Sequence, residues 1–290
     1  MLRDLLKTMR PRQWTKNIFV FAALVFDGKL FHLTDFLHTL GSFVLFCLAS
    51  SAVYLLNDIF DIEVDRQHPL KKNRPIASGR LPIPPAAAVA FLLAGGSIAA
   101  AYFLAWQLAL TLLLYFALML AYSRWLKHIP IVDVLIIAAG FVLRVHAGTT
   151  VVAVERFSPW LYVLMTLLAL YLGFGKRRAE LALLAGDAVS HRKVLDGYTI
   201  PLLDQFITIV SGTTIVAYSL YTFFRPEAPE NHTLMLTIPF VVYAIFRYLY
   251  LIQVKQIGGE PEEILLTDRP FQLSLLLWGL TVLAVFYLPS

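Results

Sequence analysis

Phe43-Val44-Leu45-Phe46-Cys47-Leu48-Ala49-Ser50-Ser51-Ala52-Val53-Tyr54-Leu55-Leu56 carries no charge, and Asn57-Asp58-Ile59-Phe60-Asp61-Ile62-Glu63-Val64-Asp65 follows it at once. A hydrocarbon core of roughly 30 Å takes about 20 apolar residues of helix, so residues 38 to 60 read as a membrane span that ends in carboxylates. At about 100° per residue, Asp58, Asp61 and Asp65 fall within an arc of about 60°. Asn57 extends that acidic face, and Ile59, Phe60, Ile62 and Val64 leave the remainder apolar.

The same pattern recurs along the chain. Of its 290 residues 59% are hydrophobic and 15% charged, and the mean hydropathy is +0.71, which excludes an ordinary soluble domain. Apolar windows place nine spans, near 14–33, 38–60, 84–106, 107–123, 130–150, 158–175, 203–224, 233–252 and 270–288. The expected fold is all-α: one integral-membrane bundle over residues 1–290, with no separate soluble domain. Only Trp106 and Gln107 part the third span from the fourth. The single cysteine, Cys47, excludes an internal disulfide and reads as a packed small residue.

Charge sets the orientation. Arg3, Lys7, Arg10, Arg12 and Lys16 precede or open the first span; Arg66, Lys71, Lys72, Arg74 and Arg80 follow the second. With Arg124, Lys127, Lys176, Arg177, Arg178, Arg192, Lys193, Lys255 and Arg269 they place 19 of the 24 lysines and arginines on one side. The positive-inside rule makes that side cytoplasmic. The expectation is therefore a multi-pass protein of the cell (inner) membrane, with the N-terminus and the long loops 61–83 and 176–202 inside and the C-terminus outside. No nucleic-acid partner is expected, and a homo-oligomer is left open.

Three carboxylates on one helix face repel one another, and at a membrane boundary they need a cation. Mg²⁺ suits them because it takes oxygen ligands, keeps waters and bridges carboxylates to phosphates. The plainer alternative pairs the helix end with Arg66, Lys71 and Lys72.

Asn57, Asp58, Asp61 and Asp65 match the pattern NDxxDxxxD, and Asn73-Arg74-Pro75 with Ser78-Gly79 matches NRPxxSG. In both the chain resembles the UbiA-type intramembrane prenyltransferases. The resemblance implies a helical bundle around a cavity open to lipid, with Asp58, Asp61 and Asp65 as Mg²⁺ ligands and Asn57 beside them in the catalytic set. Family members that prenylate aromatic rings carry a second motif, DxxxD, after the sixth span. Here that region reads Gly175-Lys176-Arg177-Arg178-Ala179-Glu180-Leu181, then His191-Arg192-Lys193. That basic run and the opening Arg10-Pro11-Arg12-Gln13-Trp14-Thr15-Lys16-Asn17 resemble the branch that moves phosphoribose from 5-phosphoribosyl 1-diphosphate to decaprenyl (polyprenyl) phosphate, a step toward cell-wall arabinose. The donor's diphosphate would then sit with the metal. Lys176, Arg177 and Arg178, oriented by Glu180 and joined by Arg192 and Lys193, are candidates for one remaining phosphate. Lys16, Arg10, Lys72 and Arg74 are candidates for the other. As alternatives, Lys176 to Arg178 anchor the sixth span, and Arg10 and Lys16 only set topology.

Asp133 and Arg144 share a face of the fifth span, about 20° apart in azimuth and roughly 16 Å apart along the axis. Because an arginine this deep is expensive against lipid, Arg144 is expected to line a polar cavity together with Asp133, with a structural pair as the alternative. His146 reads as a hydrogen-bonded structural residue and Arg247 as a snorkelling one. Two other readings compete with the phosphoribosyl reading. An aromatic-ring prenyltransferase lacks its second aspartate motif here, and a polyprenyl-phosphate transporter would carry its site near midplane.

Overall fold

In a computed structural model, residues 1–68, 71–152, 159–184, 193–224, 232–256 and 261–287 are described, and among them there is no strand. The chain divides into two compact units, residues 1–155 and 156–290. Among the described residues eight helices are long and apolar enough to cross a membrane.

The first unit opens with a short helix, α1 (Leu2–Met9), whose Leu5 and Met9 pack inward while Leu2 and Leu6 stay exposed. Next comes the expected first span, and it is not an α-helix. Pro11–Phe21 is a 3-10 helix that runs into a short α2 (Ala22–Phe26). Because a 3-10 helix rises about 2.0 Å per residue against 1.5 Å for α, these two segments together still reach roughly 30 Å.

The central helix of this unit is α3 (Leu33–Phe60), with 28 residues. At 1.5 Å per residue it is roughly 42 Å long, so its acidic end extends past a hydrocarbon core of roughly 30 Å. Its buried positions include Ser42, Ala49, Ser50, Ser51 and Ala52, small residues that let neighbouring helices approach closely. After α4 (Ile62–Gln67) and a tight loop come α5 (Ile83–Leu104) and α6 (Trp106–Arg124). A single extended residue, Ala105, separates α5 from α6, so the third and fourth spans are two helices. The unit closes with α7 (Val132–Val151). Phe46, Ala52, Leu108, Leu112, Tyr115 and Ala147 form its core, while Phe91, Leu92, Phe103 and Leu113 stay exposed on α5 and α6, as lipid-facing side chains do.

The second unit holds α8 (Pro159–Leu184), α9 (Ile200–Phe224), α10 (Ile238–Gln253, entered through the 3-10 turn Thr233–Thr237), the short α11 (Pro261–Thr267) and α12 (Arg269–Tyr287). Tyr171 Oη donates to the Ile245 carbonyl at 2.6 Å, tying α8 to α10. Trp278 Nε1 donates to Tyr218 Oη at 2.7 Å, tying α12 to α9. Helix α8 continues through Lys176–Glu180, where the sequence suggested a loop. The residues after Gly175 are good helix formers with no proline among them, so charge ends the hydrocarbon match without ending the helix.

Candidate active site

The acidic stretch straddles a kink. Helix α3 ends at Phe60, Asp61 sits between helices at φ −93° and ψ 7°, and α4 resumes at Ile62. The Asp61 N–H still donates to the Asn57 carbonyl at 2.9 Å and the Asp65 N–H to the Asp61 carbonyl at 2.8 Å. The helical hydrogen-bond ladder therefore runs through the kink, but the three carboxylates do not stay together.

Only two of them share a partner. Asp58 and Asp65 are each 2% exposed. One guanidinium nitrogen of Arg74 donates to Asp65 Oδ2 at 2.7 Å and to Asp58 Oδ1 at 3.2 Å. Arg10 Nη2 donates to the same Asp58 oxygen at 2.5 Å, with its guanidinium carbon 4.8 Å from the centre of the Tyr54 ring. Asp61 faces elsewhere: Lys127 Nζ, from the 3-10 turn Leu126–His128 after α6, lies 2.6 Å from its Oδ1. The cations that meet the acidic face are thus Arg10, Arg74 and Lys127. Of the pairing first considered, Arg66 goes instead to Glu63 and the Ala77 carbonyl, and Lys71 and Lys72 sit exposed on a 3-10 turn.

Local packing explains why Arg74 points where it does. Ile76 and Leu81, both 1% exposed, plug its loop into the core beside Met9, Leu55, Ala86 and Ala90. Leu81 N–H closes the loop on the Pro75 carbonyl at 3.0 Å, and Gly79 takes the left-handed φ of 79° that the reversal requires. Arg80 ties the loop to the Asn73 carbonyl and to Asp4 of α1. Just before it, burial and the nearby Lys71 hold the His68 imidazole below its ordinary pKa. Its neutral Nδ1 accepts the Lys71 N–H at 3.2 Å.

The donor chemistry fits Mg²⁺ carried with a phosphorylated substrate. Among the described residues no three acidic, histidine or cysteine side chains form a metal cage. Two buried carboxylates converge within 3.2 Å of one point, where Arg74 now supplies the positive charge. Mg²⁺ needs one or two carboxylates and completes its shell with water and phosphate oxygens. Asp61 stands apart from that pair.

The other expected residues fall in different places. Lys16 is half-buried on the 3-10 segment. Asp133 is fully buried in the first turn of α7. Arg144, expected to line a cavity, is 6% exposed and enclosed by protein. It donates to Asn17 Oδ1 (2.8 Å), the Gly140 carbonyl (2.8 Å) and Tyr115 Oη (3.2 Å). In the second unit Arg177 is 1% exposed and paired with Glu180 at 2.6 Å. Arg178 pairs with Asp204 at 2.6 Å and donates to the Ile252 carbonyl. Arg192 lies outside the described residues, and Lys193 begins a 3-10 turn, Lys193–Gly197. Arg247, expected to snorkel, forms a two-bond pair with Asp268 at 2.8 and 3.1 Å. Sequence reasoning counted Lys127 only as a topology charge. Its place in the short basic turn on the same side as the acidic motif was the available signal.

Membrane-crossing helices that gather buried carboxylates and guanidiniums at the end of one span have the make-up of an integral-membrane enzyme for a phosphorylated substrate. Residues 17–259 match the UbiA prenyltransferase family, and the chain belongs to that family. The decaprenyl-phosphate phosphoribosyltransferase of Mycolicibacterium smegmatis is 38% identical, over 99% of this chain and 93% of its own length. That of Mycobacterium tuberculosis is 37% identical (97% and 94%), and that of Corynebacterium glutamicum 34% (98% and 87%). A UbiA homologue from Archaeoglobus fulgidus, solved with DMAPP and Mg²⁺, has the same fold, with a TM-score of 0.74 at 18% identity over 99% of this chain and 100% of that one.

Proposed function

We propose that this protein transfers 5-phosphoribose from 5-phosphoribosyl 1-diphosphate to decaprenyl phosphate, breaking the bond from ribose C1 to the diphosphate oxygen and forming one to the lipid phosphate oxygen. The observation that carries the substrate choice is identity of 34% to 38%, over nearly the whole chain, to relatives with that curated name. The site chemistry supports it. Asp58 and Asp65 would hold Mg²⁺, with Asn57 and Asp61 on the same stretch of chain, and the ion would supply positive charge against the diphosphate there.

The chain's own residues do the rest. Arg10 and Arg74, already at Asp58, turn their remaining N–H groups to phosphate oxygens, and guanidinium forks suit that task. Lys16 and Lys72 add charge beside them. In the second unit Lys176 takes the donor's 5-phosphate, with Arg177 and Arg178 fixed by Glu180 and Asp204. A lipid phosphate is anionic at neutral pH, so no strong general base is needed, and positioning with electrostatics governs the rate. The domain is read as residues 1–290, in the cell membrane with the N-terminus cytoplasmic. Counting the 3-10 segment as the first of nine crossings puts the C-terminus outside.

Purified protein given radiolabelled 5-phosphoribosyl 1-diphosphate, polyprenyl phosphate and Mg²⁺ should yield a labelled lipid. Reaction only with an allylic diphosphate and a phenolic acceptor would overturn the reading.

A further inference from the structure

The 3-10 run Pro11–Phe21 has 11 residues, whereas such runs seldom exceed about four because their hydrogen bonds are poorly aligned. Something outside the segment must hold it. With three residues per turn, positions i and i+3 eclipse, so Trp14, Asn17 and Val20 form one row. Each member of that row meets a fitted partner. Trp14 Nε1 donates to Ser51 Oγ of α3 at 3.0 Å. Asn17, 0% exposed, donates its amide N–H₂ to Cys47 Sγ and Ser50 Oγ of α3, both at 3.3 Å, and accepts from Arg144 of α7 at 2.8 Å. Val20 presents its carbonyl to Gly148 of α7, where a Cβ would overlap it.

In an α-helix the same three residues would spread about 60° further apart at every step. If the six steps from Asn17 back to Pro11 relaxed to α geometry, Pro11 would turn by about 120° and move by about 3 Å relative to Asn17. Arg10, the next residue, would then lose Asp58. A guanidinium can only donate, so Arg144 also dictates that the Asn17 oxygen faces α7 and the amide nitrogen faces α3. Leucine at 144 would fill space without imposing either choice, and arginine in a membrane interior is costly. Fixing register is the best-attested use of a buried polar group.

We propose that Arg144 is a positioning residue: through Asn17 it sets the three-residue register of the strap Pro11–Phe21 and so aims Arg10 at Asp58. The proposal rests on the transferase reading above for its kinetic consequence, and on the strap alone for its structural one.

The test uses the full chain in lipid nanodiscs, wild type and with Arg144→Met, Arg10→Ala and both together. Two quantities are read: hydrogen exchange of the amides 12–21, and initial rates of labelled-lipid formation. Arg144→Met should speed exchange in 12–21 by about tenfold or more while the amides of α6 keep their protection. It should lower kcat about tenfold, and the double variant should be no slower than Arg10→Ala alone, because both act on one contact. Trp14→Phe removes the neighbouring peg without stranding a charge, and serves if Arg144→Met does not fold; it should show the same loosening and the same lack of added loss. Unchanged exchange in 12–21, or losses that multiply with Arg10→Ala, would overturn the proposal. A wild-type protein that makes no labelled lipid overturns the transferase reading instead and leaves exchange to judge the strap.

Discussion

Asp58 is gripped by two guanidiniums, and each has a second hold: Arg74 on Asp65 and Arg10 on the Tyr54 ring. Asp58→Asn should therefore leave the chain folded, since neither cation is stranded. Turnover should nonetheless fall about 100-fold or more, as it does when one electrostatic contact to developing charge is lost. Monodisperse protein with unchanged thermal unfolding and near-normal rates would remove Asp58 from the metal-binding set. Lys176 differs in kind, because its proposed phosphate is not the leaving group. Lys176→Ala should raise the donor KM about tenfold while kcat stays within about twofold, the mark of binding lost equally from ground and transition states. A fall in kcat at constant KM would contradict that role.

At the scale of elements, close approaches and helix-end pairs hold each unit together. Gly148 lets α7 lie against the Val20 carbonyl. Gly148→Ala should lower the unfolding midpoint, in line with overpacking costs of about 1–3 kcal/mol; an unchanged midpoint would mean the strap has room to move. In the second unit Asp268 accepts the Phe271 N–H at the start of α12 at 2.9 Å and pairs with Arg247 of α10. The Arg247 hydrogen bonds, aided by that N–H, hold the Asp268 carboxyl below its ordinary value. A depressed carboxylate pKa stabilises the fold in full above the unfolded value of about 3.9 and loses that contribution as pH falls through the folded-state value. Thermal midpoints of wild type and Asp268→Asn should differ near neutral pH and converge as the pH falls through the folded-state value, below the unfolded value of about 3.9. A gap that persists in acid would assign the loss to packing.

For the molecule as a whole, divalent metal should be obligatory. Chelation should abolish labelled-lipid formation, and added Mg²⁺ should restore it, because two carboxylates leave most of the ion's shell to substrate and water. Full activity in chelator would leave Arg10 and Arg74 as the sole partners of the diphosphate.

The apolar runs, the acidic face and the one-sided basic charge were legible in the sequence, because hydropathy and helical periodicity depend only on neighbours along the chain. Among the described residues eight of the nine expected spans appear as long apolar helices, and Asp58 and Asp65 meet at Arg74 across the kink while Asp61 turns to Lys127. The partners of those carboxylates were not legible. Arg10 and Lys127 reach Asp58 and Asp61 from 48 and 66 residues away, and only folding decides which of many basic residues arrives. The strap is the same lesson in the backbone: hydropathy reads 14–33 as one more span, yet Ser50, Ser51, Arg144 and Gly148 receive Trp14, Asn17 and Val20 at a spacing of three. Hydrophobic burial is non-directional and tolerates either helix, whereas hydrogen bonds and a carbonyl seated on a glycine have fixed directions. Tertiary contacts therefore chose the 3-10 geometry that brings Arg10 to the acidic centre.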